Sequence, residues 1–559
     1  MVIDKLNKTF KINPLSEADG YKLGHKRMLA PGATRLYGTW IPRSLKYMHP
    51  SIVKLMSAGH QFVVRYLHST FQENFFDMPE AVAVKFAEDM TKYLMLPFDG
   101  QQFIELHRLG YLPIRIKALP EGMFTNPNVP HQTYINTVDG YAWLTLYLET
   151  YISKLSWQIA TCATIGNKFK ENTLNWVKKT DINNLWLADF MNHDFHARGG
   201  NPFTSIVVGL AHAFSNSGSD TLNVISAARY YYDVPEDEVC INSVNASEHS
   251  VSCTKIFTVG EKQMIIDWLK EFPTGILSIV ADTFDLWKLL LEYLTDPEVK
   301  ALILARDGKL VIRPDSGDPV DITCGTIEGD IIEVEKVDDS LLQEVNYFRY
   351  KGKLYQPLHD EIAERFEEYG TEQTTLWEAG IENFYKEVKL ENLPSEKGVV
   401  EILWDIFGGT TNDQGYKVLD SHIGMIYGDS INLDRQIQIY ERLAAKGFAA
   451  TNVVLGVGSF TYVYITRDQA GFAAKGAWFE VEEDGAKVGY DIYKNPVTDD
   501  GTKKSLKGMI AVLDDGQGNL IVKEQCTEEE ENTGLLQIIY EDGQFFNIIT
   551  LEELRNKLK

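Results

Sequence analysis

Short apolar runs that stop at polar signatures, repeated about one βα unit apart, constrain this chain more than any other feature. Leu185–Leu187 precedes Asp194, Ile276–Ala281 precedes Asp282, and Leu310–Ile312 precedes Arg313. Ile423–Tyr427 precedes Gly428 and Asp429, and Asn452–Leu455 precedes Gly456. From Glu248 to Asp282 is 34 residues, from Asp282 to Asp315 is 33, and from Asp429 to Gly456 is 27. A strand, its crossover helix and the next parallel strand need about that much chain. The gaps hold amphipathic stretches at 261–270 and at 284–296, where Phe284, Trp287, Leu290, Leu291 and Leu294 recur near the helical period. Parallel βα units fit a barrel or a doubly wound sheet. Reactive side chains gathered at strand ends favour an α/β protein with an irregular TIM-like (β/α) barrel.

The flanks read differently. Helices are predicted around 51–71 and 80–95, a strand at 113–118, and a long helix from about 140, with Trp143, Tyr147, Tyr151 and Leu155 as a core stripe. Beyond about 475, Met509–Leu513 and Leu520–Val522 flank a turn, and Asp542-Gly543 separates Leu536–Tyr540 from Phe545–Ile548, so two hairpins are predicted. The two ends, 1–150 and 471–559, are expected to build one accessory mixed α/β domain of β-hairpins and a final helix around a barrel at 151–470. Residues 328–397 hold 18 Asp or Glu against 8 Lys or Arg and read as a surface insertion, with a strand-like Asp330–Val334 and a helical Asp360–Tyr369.

At 559 residues, two to four domain-sized units are expected. Lys plus Arg number 54 and Asp plus Glu 79, a net charge of −25, which disfavours a nucleic-acid or anionic-membrane partner because those need a basic face. A small anionic ligand remains compatible with a few local arginines. No apolar run approaches 18 residues, and Met1–Gly20 has no apolar signal core. The five cysteines lie far apart, so reduced thiols and a cytoplasmic enzyme or binding protein are expected.

Four segments carry chemistry. Val311–Pro319 offers Arg313, Asp315, Ser316 and Gly317 after a strand. Arginine presents a planar fork to phosphate and aspartate meets a ribose diol or hydrated magnesium, although a salt bridge closing the turn uses the same residues. Glu248-His249 supplies a general base, an anion ligand, a phosphoryl acceptor or a structural histidine. His193–Gly200 sets Phe195 and Arg198 together, either to stack a planar heterocycle beside an anion or as a buried ring with a surface arginine. Gly456–Ser459, with Arg467 and Lys475 downstream, suits a phosphate cradle or a plain turn. No P-loop, nucleophile elbow or His-Glu-x-x-His helix occurs, which leaves a sugar phosphate with a planar partner as the theme.

In order along the chain, Asp19–Lys22 with His25, Arg43, Leu112–Gly122, His193–Phe195 with Arg198, Gly218–Thr221, Glu248–Ser250, Ser278 with Asp282, Arg313–Gly317, Gly428-Asp429, Gly456–Ser459, Thr466–Asp468 and Lys475 closely resemble the type II phosphoribosyltransferases of the nicotinate and nicotinamide phosphoribosyltransferase family. The resemblance spans nearly the whole chain. It implies transfer of phosphoribose from phosphoribosyl pyrophosphate to nicotinamide, giving nicotinamide mononucleotide and pyrophosphate in NAD biosynthesis. It also implies a homodimer with shared active sites, magnesium, and ATP that stimulates and is hydrolysed.

Carried onto matching positions, Phe195 and Tyr21 of the partner subunit sandwich the pyridine ring, with Arg313 nearby, while Asp220 accepts from the amide and repels the acid. Arg198, His249, Arg313, Arg43 and Lys475 meet the diphosphate. Asp315, Gly428, Asp429, Gly458, Ser459 and Arg467 meet the ribose and its phosphate. His249, Asp282, Asp315, Arg313 and Glu248 are the implied catalytic set, with His249 phosphorylated by ATP and Asp282 orienting its ring; no residue is singled out as a metal ligand. The sequence departs from the family at Ser459, where glycine is usual, and by an insertion within about 322–398. The alternatives are a nicotinate phosphoribosyltransferase, a non-catalytic nucleotide-binding regulator of the same fold, and a magnesium-dependent barrel hydrolase.

Overall fold

A strand followed by a packed crossover helix returns parallel to itself, and the central runs do so. The computed structural model describes residues 12–97, 99–327, 331–335, 337, 347–358, 384–389, 393–428, 430–494 and 505–559. Six strands form a parallel sheet: β1 Asn192–Asp194, β2 Asn245–Ala246, β3 Thr274–Val280, β4 Asp307–Arg313, β5 Ile423–Tyr427 and β6 Val453–Val457. Their spatial order is β1-β6-β5-β4-β3-β2. Single parallel bridges join Asp194 to Ser219 and Gly218 to Asn242, three residues before β2, so the two edges approach a common short segment and the sheet is curled. The expected barrel is thus present as a curled parallel sheet of six strands among the described residues.

The register levels the strand ends. Val457 pairs with Asp194, Tyr427 with Leu455, Met425 with Ile312 and Val280 with Arg313. Residues just past these pairs therefore share one rim. Beneath the rim, Ile279, Leu310, Ile312, Met425 and Leu455 join a continuous core with Ile152, Leu155, Ile159 and Ala163 of the helix Ala142–Thr180. Trp143, Tyr147 and Tyr151 of the expected stripe are buried there.

One expected strand is not one. Leu185–Leu187 lies in the 3-10 segment Ile182–Asp189, with Trp186 turned to solvent, and the strand begins five residues later. Three apolar residues fit a short strand or a single helical turn equally well. The stretch 284–296 likewise divides into the helical turn Leu286–Lys288 and the π turn Leu289–Tyr293.

A seven-stranded antiparallel sheet takes strands from both chain ends, in the order Ala486–Asp491, Ala473–Glu483, Ala33–Ile41, Gln132–Asn136, Ile114–Ala118, Gln537–Glu541 and Gln544–Phe545. Trp40 stacks on Phe472 with centroids 4.2 Å apart, locking the early strand to the late one. Met509–Asp514 pairs with Leu520–Cys526 as a hairpin. The inserted segment carries a small sheet of Ile332–Val334, Phe348–Tyr350, Lys353–Pro357 and Tyr385–Glu387, packed on its own Phe348, Tyr355 and Tyr385. It leaves and rejoins the main body where Gly325 and Gly398, both at positive φ, touch backbone to backbone; a Cβ on Gly325 would lie 1.9 Å from Glu396 O. The expected helix at Asp360–Tyr369 lies outside the described residues. Among the described residues no helix is long and apolar enough to cross a membrane.

Two fully buried histidines make the fold acid-sensitive. His60 lies 2.7 Å from both Ser57 Oγ and Gln132 Nε2, and burial lowers its pKa to about 3. His212 lies between Tyr462 Oη at 2.8 Å and Gly218 O at 3.0 Å; burial, opposed mainly by Asp194, takes it to about 4. A folded pKa below the unfolded value near 6.5 gives stability that is whole above pH 6.5 and is lost as pH falls toward the folded value. Urea denaturation is expected to show His60→Gln flattening the stability profile by about 2 kcal/mol between pH 6.5 and 5. An unchanged slope would refute the neutral-histidine assignment.

Candidate active site

The rim between β2, β3 and β4 is organised by Asp282, which follows β3. Its Oδ2 accepts from Asp315 N–H (2.8 Å), Ser316 N–H (2.7 Å) and Ser316 Oγ (2.6 Å), fixing the turn after β4. Its Oδ1 is buried and has no hydrogen-bond partner, with His249 Nε2 3.9 Å away. His249 opens the helix His249–Val259, half exposed, with Nδ1 3.2 Å from Thr283 Oγ1 and Nε2 3.8 Å from Asp315 Oδ2. Thr283, rather than Asp282, thus lies within hydrogen-bond reach of the ring. Glu248 lies 3.4 Å from Arg198, whose side chain is 92% exposed, and makes no bond to His249.

Arg313 ends β4. Its Nη2 donates to Ser247 O (2.6 Å) and its Nε is buried without a partner. Gly428, just past β5, leaves room for this pair: a Cβ there would stand 2.9 Å from Asp315 Oδ1 and 3.3 Å from Arg313 Cδ. Tyr427 Oη donates to Gly317 O (2.8 Å), holding the turn from the neighbouring strand. Asp429 lies outside the described residues.

The opposite corner, past β1, is aromatic. The Phe195 ring rests on Gly456, where a Cβ would be 2.7 Å from Phe195 Cδ2, and faces His193 with centroids 4.9 Å apart. His193 Nε2 also lies 3.2 Å from Asp220 Oδ1, to which the Ser243 hydroxyl donates. Burial alone would raise the Asp220 carboxyl, but the hydrogen bonds from His193 and Ser243 and the charges of His193 and Arg313 outweigh it and hold the carboxyl below its ordinary value. An ionised Asp220 with Oδ1 engaged leaves Oδ2 for a neutral N–H donor.

Gly458 stands open, with nothing within 4 Å of an added Cβ, while Ser459 packs into the space left by Gly199, where a Cβ would lie 2.2 Å from Ser459 Cβ. The serine that departs from the usual glycine is thus matched by a glycine opposite. Arg467 is exposed, 4.0 Å from Asp468. Tyr21, Arg43 and Lys475 form no bond to these rim groups. Tyr21 is 68% exposed beside His25, Arg43 Nε donates to Gly471 O (3.0 Å), and Lys475 shares its surroundings with Arg43, Lys22 and Glu149. Burial, together with Arg43, Lys494 and Lys22 and against Glu149, lowers the Lys475 pKa. Tyr21, Arg43 and Lys475 thus have their partners outside the rim groups described above. A cavity of about 760 Å³ lined by Thr326, Arg349, Lys353, Lys389, Glu396 and Lys446, among others, contains none of these residues.

The nicotinate phosphoribosyltransferase (NAPRTase) family model matches residues 190–544, the segment that holds the rim. The nicotinamide phosphoribosyltransferase of Acinetobacter baylyi is 35% identical over 570 residues, covering 98% of each chain. The chain belongs to the nicotinate phosphoribosyltransferase family. The nicotinamide phosphoribosyltransferase of Mycoplasma pneumoniae is 29% identical over 512 residues, 88% of this chain and 94% of its own. The crystal structure of human nicotinic acid phosphoribosyltransferase is similar at a TM-score of 0.47 and 15% identity, covering 97% of this chain and 92% of that one.

Within this member of the nicotinate phosphoribosyltransferase family, His193 and Ser243 escaped the sequence reading as partners of Asp220. They stand 27 and 23 residues from it, and only strand pairing brings them together. Asp194, read from sequence as a rim group, is instead fully buried. Removing the Asp282 carboxylate leaves three donors unmet, so Asp282→Ala is expected to cost about 2–3 kcal/mol in urea denaturation. Unchanged stability would show that the turn holds itself.

Proposed function

We propose that this chain is a nicotinamide phosphoribosyltransferase, converting nicotinamide and phosphoribosyl pyrophosphate to nicotinamide mononucleotide and pyrophosphate in NAD biosynthesis. The observation that carries the choice of base is Asp220, held ionised and linked through His193 to the ring of Phe195. A carboxylate there accepts the amide N–H of nicotinamide and repels the anionic group of nicotinate. The similarity to relatives named for this activity supports the same reading.

The pyridine nitrogen forms its bond to the anomeric carbon as the bond to the pyrophosphate oxygen breaks, and the electron pair leaves with pyrophosphate. The attacking nitrogen carries no proton, so no base is needed. Catalysis then lies in positioning and in meeting charge on the leaving group. Arg313, whose Nε lacks a partner, Arg198 and His249 take the diphosphate side. Asp315 and Gly428, with Asp429, take the ribose, and Gly458, Ser459 and Arg467 its 5′-phosphate. The orphaned Asp282 Oδ1 and the accessible Asp315 fit magnesium, which seldom has an all-protein cage and would neutralise the leaving diphosphate.

Tyr21, with Arg43 and Lys475, is assigned to the neighbouring active site of a homodimer. Tyr21 of the partner subunit would then close the base against Phe195. The curled sheet is read as an irregular barrel with the two chain ends as its accessory domain, and the five free thiols favour the cytoplasm. His249 Nε2, outside hydrogen-bond reach of either carboxylate, is assigned as acceptor of the ATP γ-phosphoryl group; the N–P bond forms as the bond to the ADP oxygen breaks.

Turnover of nicotinamide and nicotinate at equal concentration is expected to favour nicotinamide strongly, and Asp220→Asn to narrow that preference by roughly 10-fold or more. Equal use of both bases by the parent would remove the amide assignment. In His249→Ala the ratio of turnover with ATP to turnover without is expected to fall to about one; persistent stimulation would remove the phosphohistidine.

A further inference from the structure

Asp194 has no solvent exposure, yet it ends β1 and immediately precedes Phe195 at the rim. Its Oδ1 accepts from His196 N–H (3.0 Å) and His196 Nδ1 (2.6 Å), and its Oδ2 from Ser219 Oγ (2.9 Å) and Thr221 Oγ1 (2.7 Å). The backbone adds Asp194 N–H to Gly218 O and Asp220 N–H to Asp194 O, both 3.0 Å. Each base-facing residue is thereby pinned on both sides. Phe195 stands between Asp194 and His196, and Asp220 stands between Ser219 and Thr221. A fully buried carboxylate is tolerated only where donors replace its water, and four do so here. Burial favours protonation, but the hydrogen bond and charge of His196, with the charge of His212, hold the group far below the usual carboxylate range.

Two walls of a base pocket on separate strands can slide relative to one another, since β1 meets the 217–220 segment through a single bridge rather than a long ladder. A short contact gives weak register. We infer that Asp194 is a positioning residue that clamps the aromatic wall to the amide-reading wall, setting base affinity and base choice without touching the base. The inference rests on the proposed base site, but the clamp itself is testable apart from it. It assigns Ser219 and Thr221 a part in specificity through their hydroxyls alone.

Hydrogen exchange tests the clamp without any ligand. Asp194→Asn keeps the shape but removes the negative charge and sets an NH2 group where Oδ2 accepted from the Ser219 and Thr221 hydroxyls, which must turn to accept, and it is expected to lose protection in both 194–198 and 218–222. Thr221→Val removes one hydroxyl at nearly constant volume and is expected to lose protection in 218–222 alone. Nicotinamide titrations on the same proteins test the consequence. Affinity is expected to fall roughly 30-fold in Asp194→Asn and about 3- to 10-fold in Thr221→Val. The nicotinamide KM is expected to rise in step while the phosphoribosyl pyrophosphate KM stays within about 2-fold.

Unchanged protection in both segments overturns the clamp, whatever the enzyme does. Lost protection with unchanged nicotinamide affinity, or with both KM values rising in parallel, overturns its role in base recognition. A parent that binds no nicotinamide overturns the base-site reading and that role with it, while the exchange result still decides the clamp. Should Asp194→Asn fail to fold, Thr221→Val and Ser219→Ala decide the matter on the same readouts.

Discussion

Everything at the rim depends on the parallel register of six short strands. Parallel pairing points every strand the same way, and the pairs Asp194 with Val457, Leu455 with Tyr427, and Val280 with Arg313 bring residues from positions 194 to 459 to one level. A one-residue slip in any ladder would turn its side chains to the other face. The buried Leu310, Ile312, Met425 and Leu455 oppose such a slip, because it would trade apolar contacts for polar ones.

On that base, local anchors fix individual groups, and they share a design. Asp282 spends one oxygen on three donors of the next turn and keeps the other unpartnered. Asp220 engages one oxygen with His193 and Ser243. In each, one oxygen of the carboxylate orders the protein. Asp194 differs: both oxygens are consumed internally, which suits an anchor rather than a contact. Small residues complete the arrangement where side chains crowd, with Gly456 under Phe195, Gly428 beside Asp315 and Gly199 opposite Ser459.

Much of this was legible in sequence because strand ends advertise themselves. The runs before Asp282, Arg313 and Gly428 are strands, since each continuous apolar run is bounded by residues that stop it. The run at Leu185–Leu187 misled because three apolar residues carry no period, and the true strand, Asn192-His193-Asp194, is polar and buried, the reverse of the expected pattern. The partners of Asp220 and the burial of Asp194 were illegible for a related reason. Hydrogen bonds spanning 23 to 27 residues have no local signature until the strands are paired. The local partners of Tyr21, Arg43 and Lys475, which are His25, Gly471 and the Lys22–Glu149 surroundings, were likewise invisible before the strands were paired.

These scattered groups are proposed to act as one phosphoribosyl-transfer site. Pyrophosphate release from phosphoribosyl pyrophosphate, followed in the purified chain with magnesium while nicotinamide is varied, tests it most directly. Release that requires nicotinamide and matches mononucleotide formation mole for mole is the expected result. Release at the same rate without nicotinamide, or none with it, would show that the groups do not act together.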